Sequence, residues 1–206
     1  MTKRSVACLL LAVCVLGFSA CKSKKPASPA AGEQEWYRYI SAFTTGTVSR
    51  KAAVRVLFVD AAAPPGPAAA GLLEFSPAVA GKAEWRSERE LIFTPGDELE
   101  PGQEYKAVLH VGKVLDLPKA FARFEFRFGV VRPNMEVAVD GLFAEDPDRP
   151  QAQVLRGRVV TADAEEKGLV EKVLEAEQDG RSLVIEWSHA PLGLYHQFVV
   201  RDIERR

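Results

Sequence analysis

Cysteine is nearly absent where a folded domain could use it. The chain has three, and Cys8 and Cys14 fall inside the apolar run Val6 to Phe18, so only Cys21 remains beyond it. A disulfide within the folded part is thereby excluded, as is any cysteine metal site or redox pair. Asparagine occurs once, at Asn134, and Met135-Glu136 after it rules out a glycosylation sequon. Charge of one sign is lacking too. Without Met1 to Ala20, which hold Lys3 and Arg4, 25 basic side chains stand against 28 acidic ones, a net of −3. That balance gives no electrostatic footprint for nucleic acid.

The motifs of chemistry are also missing. No glycine loop of the phosphate-binding kind occurs, and Ser76 lies in Phe75-Ser76-Pro77, without the flanking glycines of a nucleophile elbow. His110 falls at a strand end. His189 and His196 are seven residues apart, unlike a helical metal pair, and no third ligand is evident. All three read as satisfied or solvent-facing histidines. Asp146 and Asp148 lack the glycine and terminal glutamate of a calcium loop. Glu165 and Glu166 read as first-turn helix residues that offset the dipole. The sequence therefore assigns no catalytic, cofactor-binding or metal residue, and predicts a protein that is not an enzyme and needs no cofactor.

A long hydrophobic run is lacking as well. Val6 to Phe18 is shorter than the ~20 apolar residues a spanning helix needs, and with Lys3 and Arg4 before it residues 1–20 read as a signal peptide. Phe18-Ser19-Ala20-Cys21 has the form of a lipobox, small residues just ahead of a cysteine. Cys21 is the predicted lipidation site, with acyl chains anchoring the protein at about 0.8 kcal/mol per buried CH₂. The competing readings are ordinary secretion with Cys21 a spare thiol, and a short uncleaved anchor. The residues after Cys21 favour the lipid: Lys22 to Gly32 is rich in Lys, Ser, Pro and Ala, cannot bury an apolar face, and makes residues 21–35 a flexible tether.

What is present is a succession of short alternating runs closed by Pro and Gly. Val54, Val56 and Phe58 alternate with Arg55, Leu57 and Val59, and Phe124, Phe126 and Phe128 with Arg123, Glu125 and Arg127. Strands are also predicted at Ile40 to Phe43, Ala83 to Arg86, Leu91 to Thr94 and Tyr105 to Val111, with turns at Pro95-Gly96 and Pro101-Gly102. Trp85, Phe93, Leu109 and Phe126 are expected in one buried cluster, and Ala61 to Gly71 as a loop. Arg132-Pro133-Asn134 marks a boundary, giving a first domain over 36–131 and a second over 132–206. The second is read as strands Met135 to Leu142, Ala152 to Thr161, Ser182 to Trp187 and Tyr195 to Ile203. Ala144 to Pro150 is read as an acidic loop. A helix is expected from about Ala164 to Gln178, started by Thr161 and Asp163 and stopped at Asp179-Gly180. This is thin for a complete sandwich of about seven strands, and reads as a reduced domain or the front of something longer.

Phe75-Ser76-Pro77, Gly81 to Trp85, Leu91-Ile92-Phe93-Thr94-Pro95 and Leu99 to Tyr105 resemble the bacterial Ig-like repeat of envelope proteins. With the lipobox and the second segment, the chain is similar to the N-terminus of bacterial alpha-2-macroglobulin-like lipoproteins. The resemblance implies an all-β fold of tandem β-sandwich domains (Ig-like, then macroglobulin-like with one short helix). It also implies a place in the cell envelope, on the outer membrane or periplasmic face, as structural or binding domains of a proteinase-trapping protein. Its partners would be the membrane through Cys21, and proteinases or another envelope protein. The Gly-Cys-Gly-Glu-Gln thioester is missing, so no residue of the trap carries over. The rival expectations are a self-contained adhesin or ligand-binding lipoprotein using Ala61 to Gly71 and Ala144 to Pro150, and an accessory domain of an envelope hydrolase.

Overall fold

A computed structural model describes residues 33–205; Cys21, the signal peptide over 1–20 and most of the tether predicted over 21–35 lie outside them. The described chain is all-β in several sheets with little helix. After a single helical turn, α1 (Glu33–Trp36), come nine strands: β1 (Ile40–Phe43), β2 (Gly46–Val48), β3 (Val54–Phe58), β4 (Gly66–Pro67), β5 (Leu73–Ser76), β6 (Gly81–Ser87), β7 (Glu90–Pro95), β8 (Glu104–Leu109) and β9 (Phe124–Val130). One sheet has the order β1-β3-β7-β6-β4, the other β2-β9-β8-β5. Successive side chains of a strand point to opposite faces, and β3 and β9 accordingly bury their even-numbered residues and expose most of the odd ones. The two inner faces share one core, in which Trp85, Phe93, Leu109 and Phe126 are all buried as expected. Burying side chains of this size contributes roughly 1.5–3 kcal/mol each. The loop Ala61 to Gly71 is interrupted by β4, whose Gly66 stands opposite Trp85.

The second group of strands pairs only within itself. It comprises β10 (Met135–Asp146), β11 (Arg149–Thr161), β12 (Glu177–Gln178), β13 (Arg181–Ser182), β14 (Ile185–His189) and β15 (Tyr195–Glu204), with α2 (Lys167–Val170) between β11 and β12. A sheet in the order β10-β11-β15-β14 carries a core of Val159, Phe198 and Val200, covered by Val170, Leu174 and Leu183 from the segment between β11 and β14.

Two expectations are corrected here. Ala144 to Pro150 is not a loop: β10 and β11 run on into a hairpin whose turn is held by Asp146, which accepts from the Asp148 N–H and from Arg149 Nε. The helix over 164–178 shrinks to α2 and one 3-10 turn at Glu171–Val173. Its predicted starters are engaged elsewhere, Gly168 weakens it by about 1 kcal/mol, and Asp179-Gly180 is a hairpin turn rather than a helix stop. Both residues take positive φ, 55° and 75°, the geometry of a two-residue turn joining β12 to β13. The strand expected over Met135 to Leu142 is present as part of β10, and its Met135, Val137 and Val139 stay exposed, because β10 is an edge strand and the covering segment packs on β11, β15 and β14.

Candidate functional site

Two clusters of charged or titratable groups stand out, and neither was expected from spacing. The first joins the two modules. Arg50 lies in the turn between β2 and β3, where its carbonyl accepts from the Leu99 N–H at 2.8 Å and so ties the turn to the first core. Its backbone N–H donates to Asp163 Oδ2 at 2.8 Å. Its guanidinium forks onto Glu165, with Nη1–Oε1 and Nη2–Oε2 both 2.9 Å, and Nη2 also reaches the Ala164 carbonyl. Nε sits 2.8 Å from Glu98 Oε2 as an ion pair, but off the axis of a hydrogen bond.

The acceptors are fixed in turn by the second module. The Thr161 hydroxyl donates to the Asp163 carbonyl, Ala162 N–H to the Asn134 carbonyl, and Glu165 N–H to the Gly193 carbonyl. Glu165 is thus held in a bidentate ion pair instead of the helix first turn predicted for it, and Asp163 binds the Arg50 and Ala164 N–H groups instead of starting a helix of its own. The hydrogen bond from Arg50, then its charge, holds the Glu165 carboxyl below the ordinary range despite burial. Burial alone would raise Asp163; hydrogen bonds from Ser49, Arg50 and Ala164 override it and hold the carboxyl low. Paired bidentate and backbone contacts of this kind fix orientation as well as distance.

The second cluster is His189, His196 and Glu171. The β14–β15 pairing sets His189 opposite His196, bringing their Nδ1 atoms to 2.8 Å, while His189 Nε2 lies 3.0 Å from Glu171 Oε1. One Nδ1 must carry the shared proton and the other accept it. Trp187 stacks on His189 at 6.0 Å, and His196 is fully buried. Burial, and then the neighbouring His189, push the His196 imidazole below its usual value, against the Gly193 carbonyl and Glu165. The sequence reading of these two as satisfied or solvent-facing histidines did not anticipate that they meet: seven residues centred on a hairpin turn are a cross-strand pair, a signal available once β14 and β15 are recognised as neighbours. No group of three or more ligating side chains able to hold a metal occurs among the described residues.

His110 Nε2 lies 3.1 Å from Glu74 Oε1, without hydrogen-bond geometry. Ser76 ends β5 opposite Lys106. Neither joins the clusters above. Among the described residues no helix is long and apolar enough to cross a membrane.

No family model matches the chain, and no curated protein matches it. Among solved structures it is similar to L,D-transpeptidase 3 from Mycobacterium tuberculosis in complex with a faropenem-derived adduct, at 13% identity and a TM-score of 0.33 over 58% of this chain and 46% of that one. A second likeness is to an L,D-transpeptidase from M. tuberculosis H37Rv, at 14% identity and a TM-score of 0.32 over 57% of this chain and 47% of that one. The chain spans about half the length of these structures. Likeness at this level bears on neither reaction nor substrate.

Proposed function

We propose that the chain is a membrane-moored scaffold of the bacterial cell envelope, acylated at Cys21 and performing no chemistry of its own. In this reading it supplies the anchor and first structural domains of a protein similar to the alpha-2-macroglobulin-like lipoproteins, whose proteinase trap lies elsewhere. The observation that supports it is the Arg50 joint. Only Val131 to Asn134 connect β9 to β10, and the contacts of Arg50 with Asp163, Ala164 and Glu165 restrain the rotation that so short a linker would otherwise allow. A part whose work is to hold distance and direction from a lipid anchor needs such a joint; a free-standing pair of modules does not.

Metabolic labelling with a radioactive fatty acid, followed by detergent phase separation, tests the mooring. The wild-type chain should carry label and enter the detergent phase, and Cys21→Ser should do neither. An unlabelled, water-soluble wild-type chain sinks the proposal. Incubation with a proteinase tests the scaffold role: no trapped complex is expected from this chain alone, and a stable complex would show that it holds the trap itself.

A further inference from the structure

The first module leaves part of a sheet edge open beside an aromatic groove. β2 pairs with β9 only at Phe128, Gly129 and Val130, so the earlier half of β9 has no strand on that side among the described residues. The Val130 N–H donates to Gln103 and the Val130 carbonyl accepts from Gly102, both on the β8 side. Backbone direction alternates along a strand, so Phe126 and Phe124 also point toward β8. The N–H and C=O of Glu125 and the N–H of Arg127 therefore face the open side.

Beside that edge lies a groove of about 760 Å³. Its floor is aromatic: Phe43 packs against Phe124 at 5.0 Å and Phe126 at 5.5 Å, and Trp36 closes one end against Phe124 at 5.0 Å. Its rim is basic. Lys106, Arg123 and Arg127 stand there with one acid, Glu125, which Lys106 already holds at 2.6 Å. Both arginines act on Glu125 only through space.

The geometry points to a docking site for an extended peptide segment of alternating apolar and acidic residues, added to the sheet beside β9. Backbone groups would pair with Glu125 and Arg127, alternate apolar side chains would enter the groove, and the acids between them would face Arg123 and Arg127. The chain's own tether is a poor occupant. Residues 22–32 carry Lys22, Lys24 and Lys25, contain no acid, and are broken by Pro26 and Pro29, so like charge and missing donors oppose them. The inference stands whether or not Cys21 is acylated and whether or not a proteinase is trapped.

The test titrates the purified full chain into a fluorescein-labelled decapeptide of alternating glutamate and leucine and reads anisotropy. Hydrogen exchange of the complex then locates the bound peptide. Saturable binding is expected, weakened at least ten-fold by Arg123→Glu with Arg127→Glu, together with slowed exchange at Glu125 and Arg127. A lysine–leucine decapeptide should bind the double variant better than the wild type. Both arginines stand on the rim outside the core, so unchanged circular dichroism is expected to confirm an intact fold. No saturable binding, binding indifferent to the double variant, or protection at Met135 to Val139 instead would overturn the assignment. Retention of anionic phosphatidylglycerol vesicles without peptide binding would also overturn it, giving the basic rim to a lipid surface.

Discussion

Removing the Arg50 side chain should uncouple the two modules. Arg50 and Glu165 are 15% and 22% exposed, so their forked pair lies between two measured regimes. Exposed ion pairs contribute about 0.2–1 kcal/mol, while breaking a buried pair costs about 3–5 kcal/mol. A coupling of about 2 kcal/mol between Arg50→Ala and Glu165→Ala is expected from that position between the regimes. Arg50→Ala keeps the backbone donor to Asp163, so the joint weakens without vanishing. Urea unfolding followed by tryptophan fluorescence reads the outcome by module, since Trp36 and Trp85 belong to the first core and Trp187 to the second. The wild type should unfold in one transition. In the variant the Trp187 signal, isolated by replacing Trp36 and Trp85 with Phe, should separate from the rest. A coupling below about 0.5 kcal/mol, within the error of independent sites, with coincident transitions would refute the idea that Arg50 fixes the joint.

Acid should loosen the same joint. Asp163 and Glu165 have folded pKa values below their unfolded ones, so their contribution is complete above about pH 4–5 and is lost as pH falls through the folded values. His196 is also lowered on folding; its contribution is complete above about pH 6.5 and declines as pH falls further. Stability measured against pH should therefore fall in two stages, the upper one absent in His196→Gln. A single fall confined below about pH 4 would contradict the His196 half. Gly157→Ala should destabilise the second module by roughly 1–3 kcal/mol, because a Cβ there would meet the Phe198 ring and lie 2.6 Å from the Ala138 carbonyl oxygen. Unchanged thermal unfolding would show that the sheet relaxes around it.

Much of the first module was legible in the sequence because its strands are buried on one face and charged on the other. Phe124, Phe126 and Phe128 announce both a strand and its inner side, since period two with a charge at every alternate position fits no helix. The Arg50 joint was not legible. Arg50 and Glu165 are 115 positions apart, and nothing local distinguishes Glu165 from an acid at a helix start. The helix expected over 164–178 failed for a related reason: Leu169, Val170, Val173 and Leu174 recur at helical spacing, but tertiary packing takes only Val170 fully into the core and draws the following residues into a hairpin. Propensity is a weak prior where a sheet needs covering.

Strand β10 carries the sharpest form of that lesson, because alternation reveals a face but not what lies over it. Val137 and Val159 are cross-strand partners on the same face of one sheet. By sequence they are alike: β-branched, in alternating runs, beside charged neighbours. Yet Val159 is fully buried and Val137 is 44% exposed, since the segment carrying Val170 and Leu174 stops short of the edge. A lysine at each position should therefore give opposite results. Val137→Lys leaves its ammonium in water on an edge strand, where such a residue is well tolerated, and should change stability by no more than about 0.5 kcal/mol. Val159→Lys places a charge against Phe198 and Val170, where the one acid of the adjoining cavity, Glu165, is already held by Arg50, and should cost more than about 3 kcal/mol, enough to unfold the second module. Thermal unfolding of the two variants in parallel decides it, and equal losses would mean that β10 is covered in solution by something that reaches past the helix to the edge.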